Sequence, residues 1–164
     1  MMMRSKLLTL AFVSVLFGLV SAAQAQAPTS AGTWELDTAK STTTNPMGLP
    51  KSGTRTYTFD GNMEKMNATV VAADGKEYKE GFAGMAPDGK ERPFQSTVLG
   101  DGVTIAAKPG SSPNTVDFVL KKDGKDIITG TRTIAADGKS MTIASKGTTA
   151  DGKPIESSMV WSKK

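Results

Sequence analysis

Beyond residue 31 the chain alternates apolar and polar side chains with a period of two, which is typical of β-strands with one buried face. Arg55, Tyr57 and Phe59 share one face of such a segment, and the threonines between them share the other. No stretch after residue 25 repeats its apolar residues at the 3.6-residue period of a helix. The pattern predicts nine or ten strands, at residues 32–38, 54–60, 64–72, 77–84, 91–98, 103–107, 114–121, 126–135, 140–148 and 155–162.

The tripeptide Asp-Gly-Lys occurs five times and predicts turns between these strands. Asp-Gly is a strong hairpin signal, because aspartate starts a turn and glycine accepts a positive φ without strain. Three of the four intervals between the tripeptides are 14 residues, which leaves about ten residues, or about 33 Å, for each strand. The five tripeptides begin at Asp74, Asp88, Asp123, Asp137 and Asp151.

Long strands joined by short turns favour an antiparallel up-and-down meander that curls into a barrel of about 8–10 strands, since closure removes the exposed edges that invite aggregation. A flat or sandwiched sheet is the alternative. Residues 39–51 are rich in threonine, contain two prolines and predict one long loop.

The N-terminus predicts a secretory signal peptide over residues 1–25. Arg4 and Lys6 precede the apolar run 7–20, and Ala23 and Ala25 form an A-x-A cleavage site. An apolar run of 14 residues is short of the roughly 20 that a membrane span needs, so we expect no stable span after cleavage. We expect a flexible leader over 26–31, a single domain over 32–164, and a periplasmic or secreted bacterial protein.

The composition excludes many kinds of chemistry. The 164 residues include no cysteine and no histidine, so thiolate zinc sites, imidazole acid–base catalysis and disulfides are all excluded. After signal removal, 18 basic and 16 acidic residues remain without a basic stripe, which argues against nucleic acid as a partner. We predict neither a metal site nor a cofactor.

The first strand opens with Gly32-Thr33-Trp34, which resembles the Gly-x-Trp motif that opens the first strand of lipocalins. That resemblance implies an up-and-down barrel around an apolar cavity, with the tryptophan covered by a basic residue from the last strand. Trp34 matches the tryptophan; Arg132 is the matching arginine by type, and Lys163 lies nearer the end of the chain. The whole mature chain also resembles small exported bacterial proteins described as lipocalin-like, most clearly over residues 121–164.

Two arginines lie on apolar strand faces, where a buried charge needs a partner. Together with a tyrosine they could hold the carboxylate of a ligand inside the barrel. Two alternatives remain: the arginines lie at the barrel ends with their charges in water, or one of them pairs with Glu80. The predicted ligand-binding residues are Arg55, Tyr57, Tyr78, Phe82, Phe118 and Arg132. Core packing is the alternative role for the aromatic ones, and for Phe94 and Trp161.

These patterns favour an exported barrel that binds a small apolar or amphipathic ligand in its interior. The competing interpretation is an envelope structural or protein-interaction module with a filled core. Activity as an enzyme is not expected; the weaker alternative is a hydrolase with a carboxylate site or a Ser–Lys dyad made by Ser140 or Ser145 with Lys146. An outer-membrane barrel is disfavoured, because the mature chain has only eight aromatic residues to form the girdles of that class.

Overall fold

The structure, a computed structural model, describes residues 29–149 and 152–164. The predicted signal peptide and its cleavage site at Ala23 and Ala25 lie outside these ranges. Within them no helix is long and apolar enough to cross a membrane. The strands are β1 (Gly32–Thr43), β2 (Ser52–Asp60), β3 (Met63–Val71), β4 (Glu77–Met85), β5 (Arg92–Pro93), β6 (Gln95–Ser96), β7 (Val103–Pro109), β8 (Thr115–Lys122), β9 (Lys125–Ile134), β10 (Ser140–Thr148) and β11 (Pro154–Lys163).

All the strands belong to one sheet in the order β5-β7-β8-β9-β10-β11-β1-β2-β3-β4-β6. Its two edge strands belong to one short segment, residues 92–96, so this segment joins the two edges of the sheet. The Phe94 amide donates to the Val103 carbonyl at 2.9 Å on one side, and the Thr97 amide donates to the Lys79 carbonyl at 3.0 Å on the other. The predicted fold class, an all-β antiparallel meander closing into a barrel, is confirmed.

Two predicted boundaries are wrong. The predicted strand 91–98 is divided into β5 and β6, because its first half pairs with β7 and its second half pairs with β4. The predicted loop 39–51 begins too early, because β1 continues to Thr43 through an irregularity between Asp37 and Thr42. Within it the Ser41 hydroxyl donates to the Asp37 carbonyl at 2.7 Å and accepts the Val160 amide at 2.9 Å. This side chain replaces the missing backbone pairing, so the strand continues.

The Asp-Gly-Lys turns at Asp74, Asp88, Asp123 and Asp137 form as the sequence predicts, and Asp151 lies outside the described residues. In the first of them the Asp74 carboxylate accepts the Lys76 amide at 3.0 Å, and the same contact recurs in the turns at Asp88 and Asp137. Asp123 and Gly124 both have positive φ, 51° and 77°, as the two-residue turn of a hairpin requires. Local chemistry therefore explains the repeated tripeptide without a bound metal ion.

The inner face of the barrel carries the core. The four largest side chains with almost no exposure are Trp34, Trp161, Met66 and Met141. Of the aromatic residues expected to point inward, Tyr57, Phe82, Phe94 and Trp161 are buried, whereas Tyr78 and Phe118 are half-buried. The core is therefore built mainly from the strand faces that the apolar–polar alternation predicted to be buried.

Candidate functional site

Trp34 reproduces the arrangement that the Gly-x-Trp resemblance implies. Its side chain is fully buried, and its Nε1 donates to the Ser30 carbonyl at 2.7 Å. The Nζ of Lys163, on the last strand, lies 5.3 Å from the centre of the Trp34 ring, a cation–π distance. Lys163, not Arg132, is therefore the basic cover. Gly32 has a φ of 116°, and a Cβ there would lie 3.0 Å from Lys163 Cε.

Ser30 lies against the end of the barrel beside Trp34. It is 3% exposed, and its hydroxyl donates to Oε1 of Glu64 on β3. Residues 29 and 30, which the sequence places in the leader, therefore lie against this end of the barrel.

A buried ion pair crosses the interior at the same level. Nη1 of Arg132 donates to Oε2 of Glu64 at 2.9 Å, and the two side chains are only 10% and 4% exposed. Their strands, β9 and β3, lie on opposite sides of the barrel. The Tyr57 ring lies 5.1 Å from Cζ of Arg132. Burial alone would lower the pKa of Arg132, but the Glu64 carboxylate and Tyr57 outweigh it and raise that pKa, so the guanidinium stays charged.

Arg55 is neutralised in a similar way. Its Nη2 donates to Oε2 of Glu80 at 3.0 Å, which is the pairing that the sequence analysis gave as an alternative. Ala68 lies between these two residues in the sheet register, and its small side chain leaves room for them to meet above it. The guanidinium carbon of Arg55 also lies 4.8 Å from the centre of the Trp161 ring. Neither interior arginine is therefore free to hold a carboxylate ligand alone.

The six predicted ligand-binding residues do not line one cavity. Tyr57 and Arg132 contact each other, and Arg55 shares their layer of the interior with Trp161. Phe82 is 6% exposed and belongs to the core. Tyr78 and Phe118 are half-buried; the Phe118 ring covers Gly130, where a Cβ would lie 2.5 Å from Cζ of Phe118. Of the six, only Arg132 reaches the pocket described next.

A pocket of about 250 Å³, here called the end pocket, opens at this end of the barrel. Glu64 and Arg132 lie at its polar side, and Asn114 is fixed there by a 2.5 Å hydrogen bond from Nδ2 to the Ile134 carbonyl. Phe59 lies on its wall with 46% of its surface exposed. The apolar wall consists of Phe59, Met85, Pro87, Pro113, Val116 and Ile134, and the polar lining of Thr29, Ser30, Asn62, Glu64, Asn114 and Arg132.

Sequence reasoning missed Glu64, the central residue of this site. Its signal was present, because Glu64 shares strand parity with Met66 and Ala68, which are buried. A charged residue on an apolar strand face requires a partner. Its partner, Arg132 on β9, comes close only because the barrel closes. The alternation of apolar and polar residues within one strand gives no information about that closure.

A broader open depression, about 950 Å³, lies on the outer face of the barrel. Its lining side chains mostly have the opposite strand parity to the core; Lys108, Asp117 and Lys146 are examples. Several of them pair with one another, as Thr131 does by donating to Asp117 at 2.7 Å. This depression therefore lies on the outer face of the sheet, and Phe118 from the inner face also reaches its lining.

The Ser–Lys arrangements considered for a hydrolase do not form. Ser145 faces inward and hydrogen-bonds Ser157 at 2.9 Å, whereas neighbouring Lys146 faces outward and pairs with Glu156 at 2.9 Å. Ser140 is six residues from Lys146 on the same strand, roughly 20 Å away at the rise of a β-strand. Among the described residues, no three potential metal-ligating His, Cys, Asp or Glu side chains cluster.

The barrel is similar to a solved structure, whereas two searches by sequence found nothing. No protein-family model matches the chain, and no curated protein matches it by sequence. The crystal structure of the zebrafish ileal bile acid-binding protein complexed with cholic acid aligns with a TM-score of 0.49 and 15% sequence identity. The alignment covers 82% of this chain and 98% of the zebrafish chain. The strand pairing of this chain itself defines the barrel.

Proposed function

We propose that this protein is exported and binds a small, uncharged, amphipathic molecule in the end pocket. The observation that carries the proposal is the combination of an apolar wall with a buried, internally neutralised ion pair in one open pocket. Ligand sites commonly have such a lining, mainly apolar with a few fixed polar groups that orient the ligand.

The apolar part of the ligand would lie against Phe59, Met85 and Val116. Removing apolar surface from water is the main favourable contribution in a site of this kind. Phe59 supports the proposal further, because it exposes 46% of a large aromatic side chain at the pocket, and a ligand there would cover part of that surface.

The polar part of the ligand would be uncharged. A carboxylate near Arg132 would also lie near Glu64, whose Oε2 is 2.9 Å from the guanidinium nitrogen. Repulsion from one charge offsets attraction to the other, so the pair offers little net preference for an anion. Hydroxyl or amide groups suit this lining better, because Asn62 and Asn114 both donate and accept hydrogen bonds.

The proposal is tested with two fluorescent dyes of similar shape. We expect N-phenylnaphthylamine, which is uncharged, to bind with enhanced emission, and anilinonaphthalene sulfonate, an anion, to bind at least tenfold more weakly. Val116→Phe should fill the pocket and weaken the binding of the uncharged dye at least tenfold. Val119→Phe is the matched control, because Val119 is half-buried on the outer face of the same strand.

Equal binding of both dyes, or equal effects of the two substitutions, would contradict the proposed site. A second candidate function then gains weight: an envelope structural or protein-interaction module with a filled interior. The ion pairs Arg132–Glu64 and Arg55–Glu80 favour it, since both occupy space inside the barrel.

Export itself is tested by the intact mass of protein recovered outside the cytoplasm, which we expect to match a chain beginning at Gln26.

A further inference from the structure

Two hydrogen-bond donors in the barrel interior have no acceptor among the described residues. They are Nε1 of Trp161 and Nε of Arg55, and both nitrogen atoms are buried from solvent. Trp161 is only 2% exposed as a whole residue. Leaving a buried donor without an acceptor costs about 1–3 kcal/mol, so native proteins almost always satisfy such groups.

The two donors belong to one small region of the core. The guanidinium carbon of Arg55 lies 4.8 Å from the centre of the Trp161 ring. A Cβ at Gly53 would lie 3.0 Å from Cη2 of Trp161, so the six-membered edge of the indole faces β2. The pyrrole edge, which carries Nε1, therefore faces away from Gly53. Neither Arg55 nor Trp161 lines the end pocket, so this region is distinct from the site proposed above.

The charges around these two donors determine whether their acceptor is an anion or an uncharged group. Arg55 is already paired with Glu80 at 3.0 Å, so its charge is balanced. Burial would lower the pKa of Arg55, but Tyr57, which also makes a side-chain hydrogen bond with the guanidinium, and Glu80 raise it. The guanidinium therefore stays protonated, and its Nε–H is a donor that no described residue accepts. An anion would bring an unbalanced charge into the core, at a high desolvation cost. An uncharged oxygen accepts both hydrogen bonds without that cost.

We propose that the region between Arg55 and Trp161 is an internal binding position for one uncharged acceptor oxygen, supplied by a water molecule or by the hydroxyl of a bound molecule. Buried waters typically make two to four hydrogen bonds to polar groups that would otherwise be unsatisfied. Arg55 Nε and Trp161 Nε1 are two such groups in one region of the core, where the guanidinium carbon lies 4.8 Å from the centre of the indole ring.

The chain offers an internal control for the test, because it contains only two tryptophans. Nε1 of Trp34 donates to the Ser30 carbonyl at 2.7 Å and represents a hydrogen-bonded buried indole. In a ¹H–¹⁵N correlation spectrum of ¹⁵N-labelled protein, Trp34→Phe and Trp161→Phe each remove one indole signal and so assign both. Nuclear Overhauser spectra of the wild-type protein then report contacts of each N–H with water.

We expect the Trp161 indole proton to resonate downfield, close to that of Trp34, and the Trp161 Nε1–H and Arg55 Nε–H to share a cross peak to one long-lived water. If a hydroxyl of a bound molecule is the acceptor, the cross peak goes to that molecule and the native mass exceeds the chain mass. An upfield Trp161 signal without either cross peak would overturn the proposal. A cross peak from Trp161 alone would contradict a shared position.

Discussion

Replacing Glu64 by glutamine should destabilise the barrel strongly, because it leaves the charge of Arg132 buried without a counter-charge. The two side chains are 4% and 10% exposed and meet at 2.9 Å across the interior. Removing one partner of a buried ion pair typically costs about 3–5 kcal/mol. We therefore expect Glu64→Gln to lower the free energy of unfolding by about that amount in urea titrations followed by tryptophan fluorescence.

The double variant Glu64→Leu with Arg132→Leu should be more stable than Glu64→Gln, although it carries one more substitution. Replacing both members of a buried pair by apolar residues is often neutral or stabilising. Ser30 would then lose the carboxylate that accepts its hydroxyl, which costs about 1–3 kcal/mol. The double variant should therefore remain somewhat below the wild type.

Asp60→Asn is the matched control, because Asp60 pairs with Lys65 at 3.1 Å near the same end of the barrel but both side chains are exposed, at 77% and 44%. Exposed pairs contribute about 0–1 kcal/mol. If Glu64→Gln costs no more than this control, the buried pair does not hold the two sides of the barrel together as argued here.

Two further predictions concern other parts of the barrel. Gly130→Ala should destabilise by about 1–3 kcal/mol, the usual cost of overpacking, because its Cβ would lie 2.6 Å from the Ala144 carbonyl oxygen. Gly84→Ala is the control in thermal melts, because its Cβ would meet only the flexible end of the Met63 side chain, at 3.0 Å. Hydrogen bonds from Arg92 hold the pKa of Asp88 well below its ordinary 3.8, so this contact stabilises the 92–96 segment above that pH and is lost on further acidification. Amide exchange at Phe94 should therefore accelerate below about pH 4, after correction for intrinsic exchange rates, whereas Asp88→Asn should exchange quickly at neutral pH and lose that dependence.

The strand pattern could be predicted because its causes are local. Alternation identified the buried faces, and Asp-Gly placed turns where glycine takes a positive φ. The end of β1 could not be predicted in this way, because it depends on the Ser41 hydroxyl accepting the amide of Val160, 119 residues away.

The candidate site was harder to predict because it depends on closure. Parity correctly placed Arg132 on an inner face but could not show that Glu64, on the opposite side of the barrel, would neutralise it. The same limit applies to Lys163, which reaches Trp34 only because β11 pairs with β1. The prediction that the two arginines hold the carboxylate of a ligand required them to be unpaired. Arg55 is paired with Glu80 and Arg132 with Glu64, so that prediction is not supported.

Native mass spectrometry of the protein recovered from exporting cells without detergent shows directly whether the barrel carries a ligand. We expect a reproducible extra mass that is lost on unfolding, persists in Val119→Phe and disappears in Val116→Phe. The chemical class indicated by that mass should be uncharged and amphipathic. A bare chain mass for the wild type and both variants, with no binding of the uncharged dye, would contradict the account and leave a barrel whose function depends on its outer surface.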